Sequence, residues 1–311
     1  MVFDFISVTL FPVLFLLLLG WLLFHYKMLN EGFVESGAKI VFNLALPALL
    51  FFSISQADFG STFDTKLLVI GVVGTVAYFL LLTLFSHFIV SDVNARGVVI
   101  QGGFRANMGI IGLAYCVNYY GSDGLAAASI YLGGITIAYN VLSVFILDFY
   151  RDGQSSIRQI IKSVATNPLI IGILLAVPFN YFQIPLPQLV LKTGEYLTQL
   201  TLPLALICTG ASLQLRSFTQ NGFNIVISTI SKCLIYPAFM VLITYLAGGS
   251  GMSLGIVLLL TVAPSATVTY VMARNMGGDH RLAASIITVT TLISAPVTLF
   301  AFGLLSSMGL I

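Results

Sequence analysis

The sequence predicts an all-α membrane protein with ten transmembrane helices, arranged as two five-helix repeats of opposite orientation. Three observations support this fold class: an apolar composition, ten apolar stretches of membrane-spanning length, and an internal repeat. Of the 311 residues, 58% are hydrophobic and 8% are charged, whereas a soluble domain carries about 25% charged residues. A soluble chain of this size still exposes a large area to water, so the lipid bilayer is the solvent that fits.

The ten candidate spans are apolar stretches separated by short polar breaks, and a helix needs about 20 such residues to cross a bilayer. In chain order they cover residues 5–25, 38–56, 66–89, 97–120, 125–149, 158–179, 188–214, 221–247, 253–275 and 281–306. The longest polar link, residues 151–156, follows the fifth span. It divides the chain into a first repeat, residues 1–150, and a second repeat, residues 157–311.

The internal repeat becomes visible when the chain is shifted along itself. A shift of 156 residues places the segment 43–47, Asn-Leu-Ala-Leu-Pro, on the segment 199–203, Gln-Leu-Thr-Leu-Pro. Near the fourth and ninth spans a shift of 158 places residues 106–109 on residues 264–267. Each repeat holds five spans, an odd number, so the second repeat enters the membrane from the opposite side. Inverted repeats of this kind are typical of secondary transporters.

The distribution of Lys and Arg predicts the orientation in the membrane, because cytoplasmic loops are enriched in these residues. With the amino terminus outside, Lys66 and Lys192 fall outside, and Arg105 and Lys232 fall within spans. The other nine fall inside: Lys27, Lys39, Arg96, Arg151, Arg158, Lys162, Arg216, Arg274 and Arg281. We therefore expect a multi-pass protein of the cell membrane, the inner or plasma membrane, with both termini on the outside.

Two helix breaks at matching depth predict the functional site. Residues 105–109, Arg-Ala-Asn-Met-Gly, and residues 263–267, Ala-Pro-Ser-Ala-Thr, each lie about ten residues into a span, which is about 15 Å or half the hydrocarbon thickness. Proline disrupts a helix and glycine permits unusual backbone angles. The predicted crossing of two broken helices points their amino termini at a bound anion. The candidate residues are Arg105, Asn107, Met108, Gly109, Pro264, Ser265, Ala266 and Thr267.

Two of these residues also have a structural interpretation. Pro264 can simply kink a helix, and Asn107 can bond to a neighbouring backbone group. Asn43 and Gln199, each four residues before a proline in the second span of its repeat, are further candidates to face the crossing.

Two cations lie deep in the spans, and no carboxylate lies equally deep. These cations are Arg105 and Lys232. A buried cation is costly unless a negative charge accompanies it, and a negatively charged substrate would supply that charge. Alternatively, Lys232 bonds the carbonyl end of a helix or extends towards the interface, and Arg105 reaches cytoplasmic water.

Other function classes find little support in the sequence. A net charge of +2 provides no bulk attraction to nucleic acid. No cluster of His, Asp or Glu and no nucleophile motif sits at membrane depth, so we expect no enzyme, no catalytic residue, no metal site and no cofactor. The missing carboxylates also argue against a sodium/proton antiporter, which needs acidic groups to bind cations.

Short motifs in a fixed order resemble the auxin efflux carrier family over the whole chain, in particular its bacterial members with a short central loop. They are Phe11-Pro12 before an apolar run, the segment 43–51, Ala-Asn-Met-Gly at 106–109, Lys232 followed by Pro237, and Ala-Pro-Ser-Ala at 263–266. Two positions depart from the family pattern. Met108 stands where threonine is common, and Arg105 is unexpected in most members.

This resemblance implies a function and an architecture. It implies a secondary transporter of a small organic anion, such as a carboxylate or an auxin-like weak acid, with the substrate at the crossing of the fourth and ninth spans. It also implies a scaffold domain from spans 1, 2, 6 and 7, a transport domain from spans 3–5 and 8–10, elevator-like motion, and a homodimer formed through the scaffold. Proton coupling stays open. The alternatives are a bile-acid-type sodium symporter and a membrane receptor that binds a ligand without moving it.

Overall fold

A computed structural model describes residues 5–57, 65–150, 161–162, 164–213 and 222–311. In these ranges every element longer than an isolated β-bridge is a helix, which confirms the all-α prediction for this part of the chain. Eleven helices are described there: α1 Phe5–His25, α2 Glu31–Ser55, α3 Thr65–Ile89, α4 Val93–Phe104, α5 Met108–Phe149, α6 Pro168–Tyr181, α7 Gln188–Ala211, α8 Gly222–Leu246, α9 Gly251–Val262, α10 Val268–Asn275 and α11 His280–Ser307.

Each predicted span overlaps at least one helix in the described residues. Six helices, α1, α2, α3, α5, α8 and α11, are long and apolar enough to cross a bilayer alone. Helices α6 and α9 are apolar but contain only 14 and 12 residues. The count of ten spans and the inverted relation of the two halves therefore stay predictions. Arg151, Arg158 and Arg216 of the orientation count, and the link 151–156, lie outside the described residues.

The fourth and ninth predicted spans are each interrupted, as the sequence predicted. The fourth consists of α4, the segment 105–107 and the start of α5, whereas the ninth consists of α9, the segment 263–267 and α10. A further interruption lies within helix α5 at Gly121, which has φ 67° and ψ −149°. Glycine lacks a Cβ and reaches positive φ without a clash. The interruption at Gly121 marks the predicted boundary between the fourth and fifth spans.

Side-chain caps explain where several helices begin. The side chains of Asn30, Asp92, Asn167 and Asp279 accept hydrogen bonds of 2.8–3.0 Å from the backbone N–H groups of Phe33, Asn94, Leu169 and Leu282, respectively. Such a cap satisfies an N–H group that has no partner within the helix. The caps at Asp92 and Asn167 fix the starts of α4, which leads towards the interrupted region, and of α6, which begins beside it.

The helices pack in two groups. In the first, α1 packs along α7 and α2 packs along α6. Glycine permits this approach, since a Cβ on Gly20 would lie 2.1 Å from the carbonyl oxygen of Ile207, and one on Gly210 would lie 2.0 Å from that of Leu17. Small residues at helix contacts are typical of membrane proteins. The second group, α3, α4, α5 and α8–α11, surrounds the two interruptions.

Large apolar side chains cover the outer faces of the helices. Phe88, Leu189 and Phe300 are 76%, 78% and 73% exposed. Extensive apolar exposure marks a surface that contacts lipid or another protein rather than water. A multi-pass membrane protein accounts for this surface.

Candidate functional site

The two helix interruptions lie side by side and pair with each other. The backbone N–H of Asn107 donates to the carbonyl oxygen of Pro264 at 2.7 Å, and the N–H of Ala266 donates to that of Arg105 at 2.9 Å. These two bonds form an antiparallel bridge between Ala106 and Ser265. Backbone groups released from a helix at membrane depth must find partners within the protein. Here each interruption supplies partners for the other.

Two further bonds fix the paired segments. The N–H of Ser265 donates to the hydroxyl oxygen of Thr290 in α11 at 3.1 Å. The N–H of Gly112 donates to the carbonyl oxygen of Asn107 at 3.1 Å and closes the π-helical turn Met108–Gly112 that begins α5. Proline at 264 provides no N–H of its own. Its carbonyl oxygen is the group that the pairing uses.

A cavity of about 80 Å³ lies where the second halves of the broken helices begin. One side is formed by the first turns of α5 and α10 together with the preceding residues, namely Asn107, Met108, Gly109, Ala266, Thr267 and Val268. The other side is formed by Phe42 and Leu46 of α2, Leu169 of α6, and Leu132 and Thr136 of α5. The cavity therefore lies between the two helix groups.

Asn107 is one of the residues that line this cavity, and its side chain has an unpaired donor. The residue is 6% exposed, and its Nδ2 has no hydrogen-bond partner among the described residues. Leaving a buried donor unpaired costs about 1–3 kcal/mol. An acceptor in the cavity would remove that cost. Pro264 and Ser265 form the pairing but do not line the cavity, and the Ser265 hydroxyl is also unpaired within the described part of the chain.

The guanidinium of Arg105 is held on α5 close to the cavity. Its Nη1 donates to the carbonyl oxygen of Tyr139 and the hydroxyl of Ser143, both at 2.9 Å, and its Nη2 donates to Oδ1 of Asn140 at 2.7 Å. The side chain lies over the Tyr139 ring, 5.8 Å from its centroid, and Arg105 is only 5% exposed. All three acceptors are neutral, so the positive charge of Arg105 is not cancelled by these partners.

The chain matches the model of the membrane transport protein family over residues 5–302. The chain belongs to this family. The match confirms the resemblance to the auxin efflux carrier family.

Three relatives of this membrane transport protein cover nearly its whole length. It is 27% identical over 300 residues to a transporter from Methanothermobacter thermautotrophicus, covering 94% of this chain and 96% of the relative. It is 28% identical over 294 residues to the transporter MJ1031 of Methanocaldococcus jannaschii, covering 91% and 93%. It is 24% identical over 312 residues to the transporter YfdV of Escherichia coli, covering 96% and 98%. All three are described as uncharacterised transporters, and none is described as an enzyme.

Lys232 of the transport protein lies apart from the cavity. It is fully buried in the π-helical turn Ser231–Ile235 of α8, and its Nζ donates to the carbonyl oxygen of Thr261 at 2.5 Å. Lys232 does not line the cavity. Of the two interpretations from the sequence, the structure therefore supports the contact with a helix carbonyl and not direct contact with a ligand in this cavity.

Asn43 and Gln199 also lie away from the cavity, contrary to the expectation that they face the crossing. Both are exposed. The Asn43 amide donates to the carbonyl oxygen of Lys39 at 2.9 Å, and the Gln199 amide donates to Oε1 of Glu195 at 3.1 Å. In α2 the residues Phe42 and Leu46, one turn apart, face the cavity. Asn43 is one residue further along, about 100° around the helix, and points elsewhere.

Sequence reasoning missed the apolar wall of the cavity. Phe42, Leu46, Leu132 and Leu169 contribute to this wall. An apolar residue within an apolar span carries no signal of its own in one sequence. Only the packing of α2 and α6 against the interruptions identifies these side chains.

Proposed function

We propose that this chain is a secondary transporter of a small organic anion, with a carboxylate as the most suitable substrate class. The observation that carries this proposal is the buried, unpaired amide of Asn107 at a cavity between two helix amino termini. Each carboxylate oxygen accepts hydrogen bonds, and the first N–H groups of a helix have no partner within it. A carboxylate in the cavity would accept from the amide and from these N–H groups.

The charges around the cavity favour an anion. A helix amino terminus carries roughly half a positive elementary charge, so the starts of α5 and α10 together supply roughly one. The Arg105 guanidinium adds positive potential without a carboxylate partner among its acceptors. Among the residues that the structure describes, none that lines the cavity is Asp or Glu. One carboxylate would approximately balance the helix charges.

The size of the cavity favours a small acid over an indole acid. Its volume of about 80 Å³ is far below the roughly 300–1,000 Å³ of pockets for drug-sized ligands. A short carboxylate fits this volume better than an auxin-like ligand with a fused ring. Transport of auxin-like acids stays a prediction that the same experiment tests.

In this proposal, relative movement of the two helix groups carries the substrate across the membrane. We propose that α1, α2, α6 and α7 form the scaffold and that α3–α5 and α8–α11 form the transport domain, in a ten-span inverted repeat with both termini outside. The packing of α1 on α7 and α2 on α6, and the position of the cavity between the groups, support this division. An elevator-like shift would carry the paired interruptions past α2 and α6. A homodimer through the scaffold belongs to the same proposal.

A thermal-shift assay with a matched control tests the binding site. Purified wild type, Asn107→Ala and Asn43→Ala are heated with acetate, malonate, malate, indole acetate or sodium chloride. Asn43 is the control because it is exposed and lies outside the cavity. A ligand at 100 times its Kd stabilises the folded state by about 2.7 kcal/mol. We expect a carboxylate to raise the Tm of wild type and Asn43→Ala and to leave Asn107→Ala unchanged.

Other outcomes point to other functions. Equal stabilisation of Asn107→Ala would show that the acid binds elsewhere and would refute this site. A shift with sodium but with no acid would favour the bile-acid-type sodium symporter. Binding without exchange of labelled acid across liposomes would favour the receptor.

A further inference from the structure

Two adjacent side chains of α8 reach the carboxyl ends of both half-helices that precede the interruptions. The hydroxyl of Ser231 donates to the carbonyl oxygen of Gly103 at 3.1 Å, in the last turn of α4. The ammonium of Lys232 donates to the carbonyl oxygen of Thr261 at 2.5 Å, in the last turn of α9. The last four carbonyl groups of a helix have no partner within it. Neighbouring residues of one turn thus satisfy a carbonyl in each half-helix.

The charges at this position balance without a carboxylate. A helix carboxyl terminus carries roughly half a negative elementary charge, so the ends of α4 and α9 together supply roughly one. Lys232 is fully buried, and in its ammonium form it brings one positive charge to the end of α9. Its ammonium donates to a backbone carbonyl, and among the described residues no Asp or Glu forms an ion pair with it. The end of α9 is the negative partner that Lys232 contacts, and the end of α4 is contacted by the neighbouring Ser231.

The surrounding contacts fix the turn in place. The Tyr78 hydroxyl of α3 lies 2.7 Å from the Ser231 hydroxyl and donates to the Ser231 carbonyl at 3.1 Å. The Lys232 Nζ lies 5.1 Å from the centroid of the Tyr236 ring, close enough for a cation–π contact. The thiol of Cys233 donates to the carbonyl oxygen of Thr290, whose hydroxyl accepts from the paired segment at Ser265. The turn is therefore linked to the interruptions from several sides.

Other transporters place a mobile cation at such a position. Unwound backbone and the carboxyl ends of half-helices coordinate the coupling sodium or proton in several inverted-repeat carriers. We propose that the Lys232 ammonium is a built-in counter-cation at this position, which holds the end of α9 beside the Ser231 contact with α4 and makes anion binding independent of sodium. Lys232 is then a positioning residue that does not touch the substrate. This inference rests on the proposed function and deepens it.

Substitution of Lys232 separates its charge from its hydrogen bond. Glutamine in Lys232→Gln keeps a donor for the Thr261 carbonyl but carries no charge, and Lys232→Arg keeps a charge. The control is Lys39→Gln, because Lys39 is an exposed lysine paired with Glu35 outside the site. The Tm of each protein is measured in choline chloride and in increasing sodium chloride, and the KM for the transported carboxylate is measured in both salts.

The proposal predicts a change in the response to sodium. Wild type, Lys232→Arg and Lys39→Gln should show the same Tm and KM in sodium and choline. Lys232→Gln should show a KM raised by about tenfold in choline, which sodium partly restores, and a Tm that rises with sodium. Chemical rescue of Lys232→Ala by butylammonium would replace the missing ammonium and should restore its Tm in the same way.

Three results would overturn the proposal. The first is a sodium requirement in wild type, and the second is an unchanged KM of Lys232→Gln in choline. The third is a Tm of Lys232→Gln that does not respond to sodium together with a Tm of Lys232→Ala that does not respond to butylammonium. A variant that does not fold in choline but folds in sodium or butylammonium would support it. The Tm measurement needs no substrate, so it separates a failure of the carboxylate hypothesis from a failure of the Lys232 proposal. If only the carboxylate hypothesis fails, no acid binds wild type, but the Tm of the Lys232 variants still responds to the added cations.

Discussion

Adding a methyl group at Gly109 tests whether the cavity receives the substrate. Gly109 lies in the first turn of α5 and lines the cavity, and a Cβ at this residue would lie 3.9 Å from Leu169 Cδ1 and 4.0 Å from Leu132 Cδ1. These are ordinary van der Waals separations, so Gly109→Ala should fold. Alanine is also favoured over glycine in a helix by about 1 kcal/mol. The variant should therefore be at least as stable as wild type.

The same methyl group should reduce transport according to substrate size. The added methyl group would take up part of a cavity of only about 80 Å³. Overpacking a site costs about 1–3 kcal/mol, which corresponds to a 5- to 150-fold rise in KM. We expect this rise for the largest acid that wild type transports and a much smaller change for acetate. Uptake of acids of graded size into proteoliposomes measures the effect.

Gly112→Ala is the matched control in the same turn. Its Cβ would lie 2.9 Å from Leu260 Cδ2 and 3.1 Å from Leu260 Cα, away from the cavity-lining residues. It should lower the Tm and leave the relative KM values of the acids unchanged. If Gly109→Ala slowed all acids equally, or none at all, the cavity would not be the substrate site.

Three further predictions concern stability and charge. Gly210→Ala should lower the Tm by the equivalent of about 2 kcal/mol or more, because its Cβ would lie 2.0 Å from the Leu17 carbonyl oxygen. Gly222→Ala should not, because no atom of the described residues lies within 4 Å of its Cβ. Equal Tm values in a melting assay would contradict this packing. Arg105→Met should lower the Tm and raise the KM, because it removes three hydrogen bonds to α5, and unchanged values would show that these bonds contribute little. Asn107→Asp should abolish carboxylate binding in calorimetry by placing a negative charge at the cavity, and retained affinity would refute the anion site.

The helix interruptions were predictable because they contrast with their surroundings. Proline, glycine and asparagine in the middle of an apolar span have few roles other than breaking the helix or binding. The interruptions predicted at 105–109 and 263–267 are present, and the structure brings Asn107 and Pro264 into direct backbone contact. The two positions correspond under the internal shift of the chain, which supported placing them at one site.

The faces of the helices were not predictable in the same way. A polar residue such as Asn43 signals a position along a span but does not indicate which side of the helix packs on the site. Lys232 illustrates the same limit, because a buried cation can meet a substrate or a helix end, and the sequence left both interpretations open. The structure places it against the Thr261 carbonyl. The apolar wall at Phe42 and Leu169 had no sequence signal at all, since leucine and phenylalanine are common throughout the spans.

We propose that this membrane transport protein moves a small carboxylate bound at the Asn107 amide. The most direct test of this proposal is counterflow of a labelled short carboxylate in proteoliposomes that contain no sodium, with wild type and Asn107→Ala reconstituted at equal density. We predict saturable exchange in wild type and exchange at the level of protein-free liposomes in Asn107→Ala. Equal exchange by the two proteins, or exchange in wild type that begins only when sodium is added, would contradict the account.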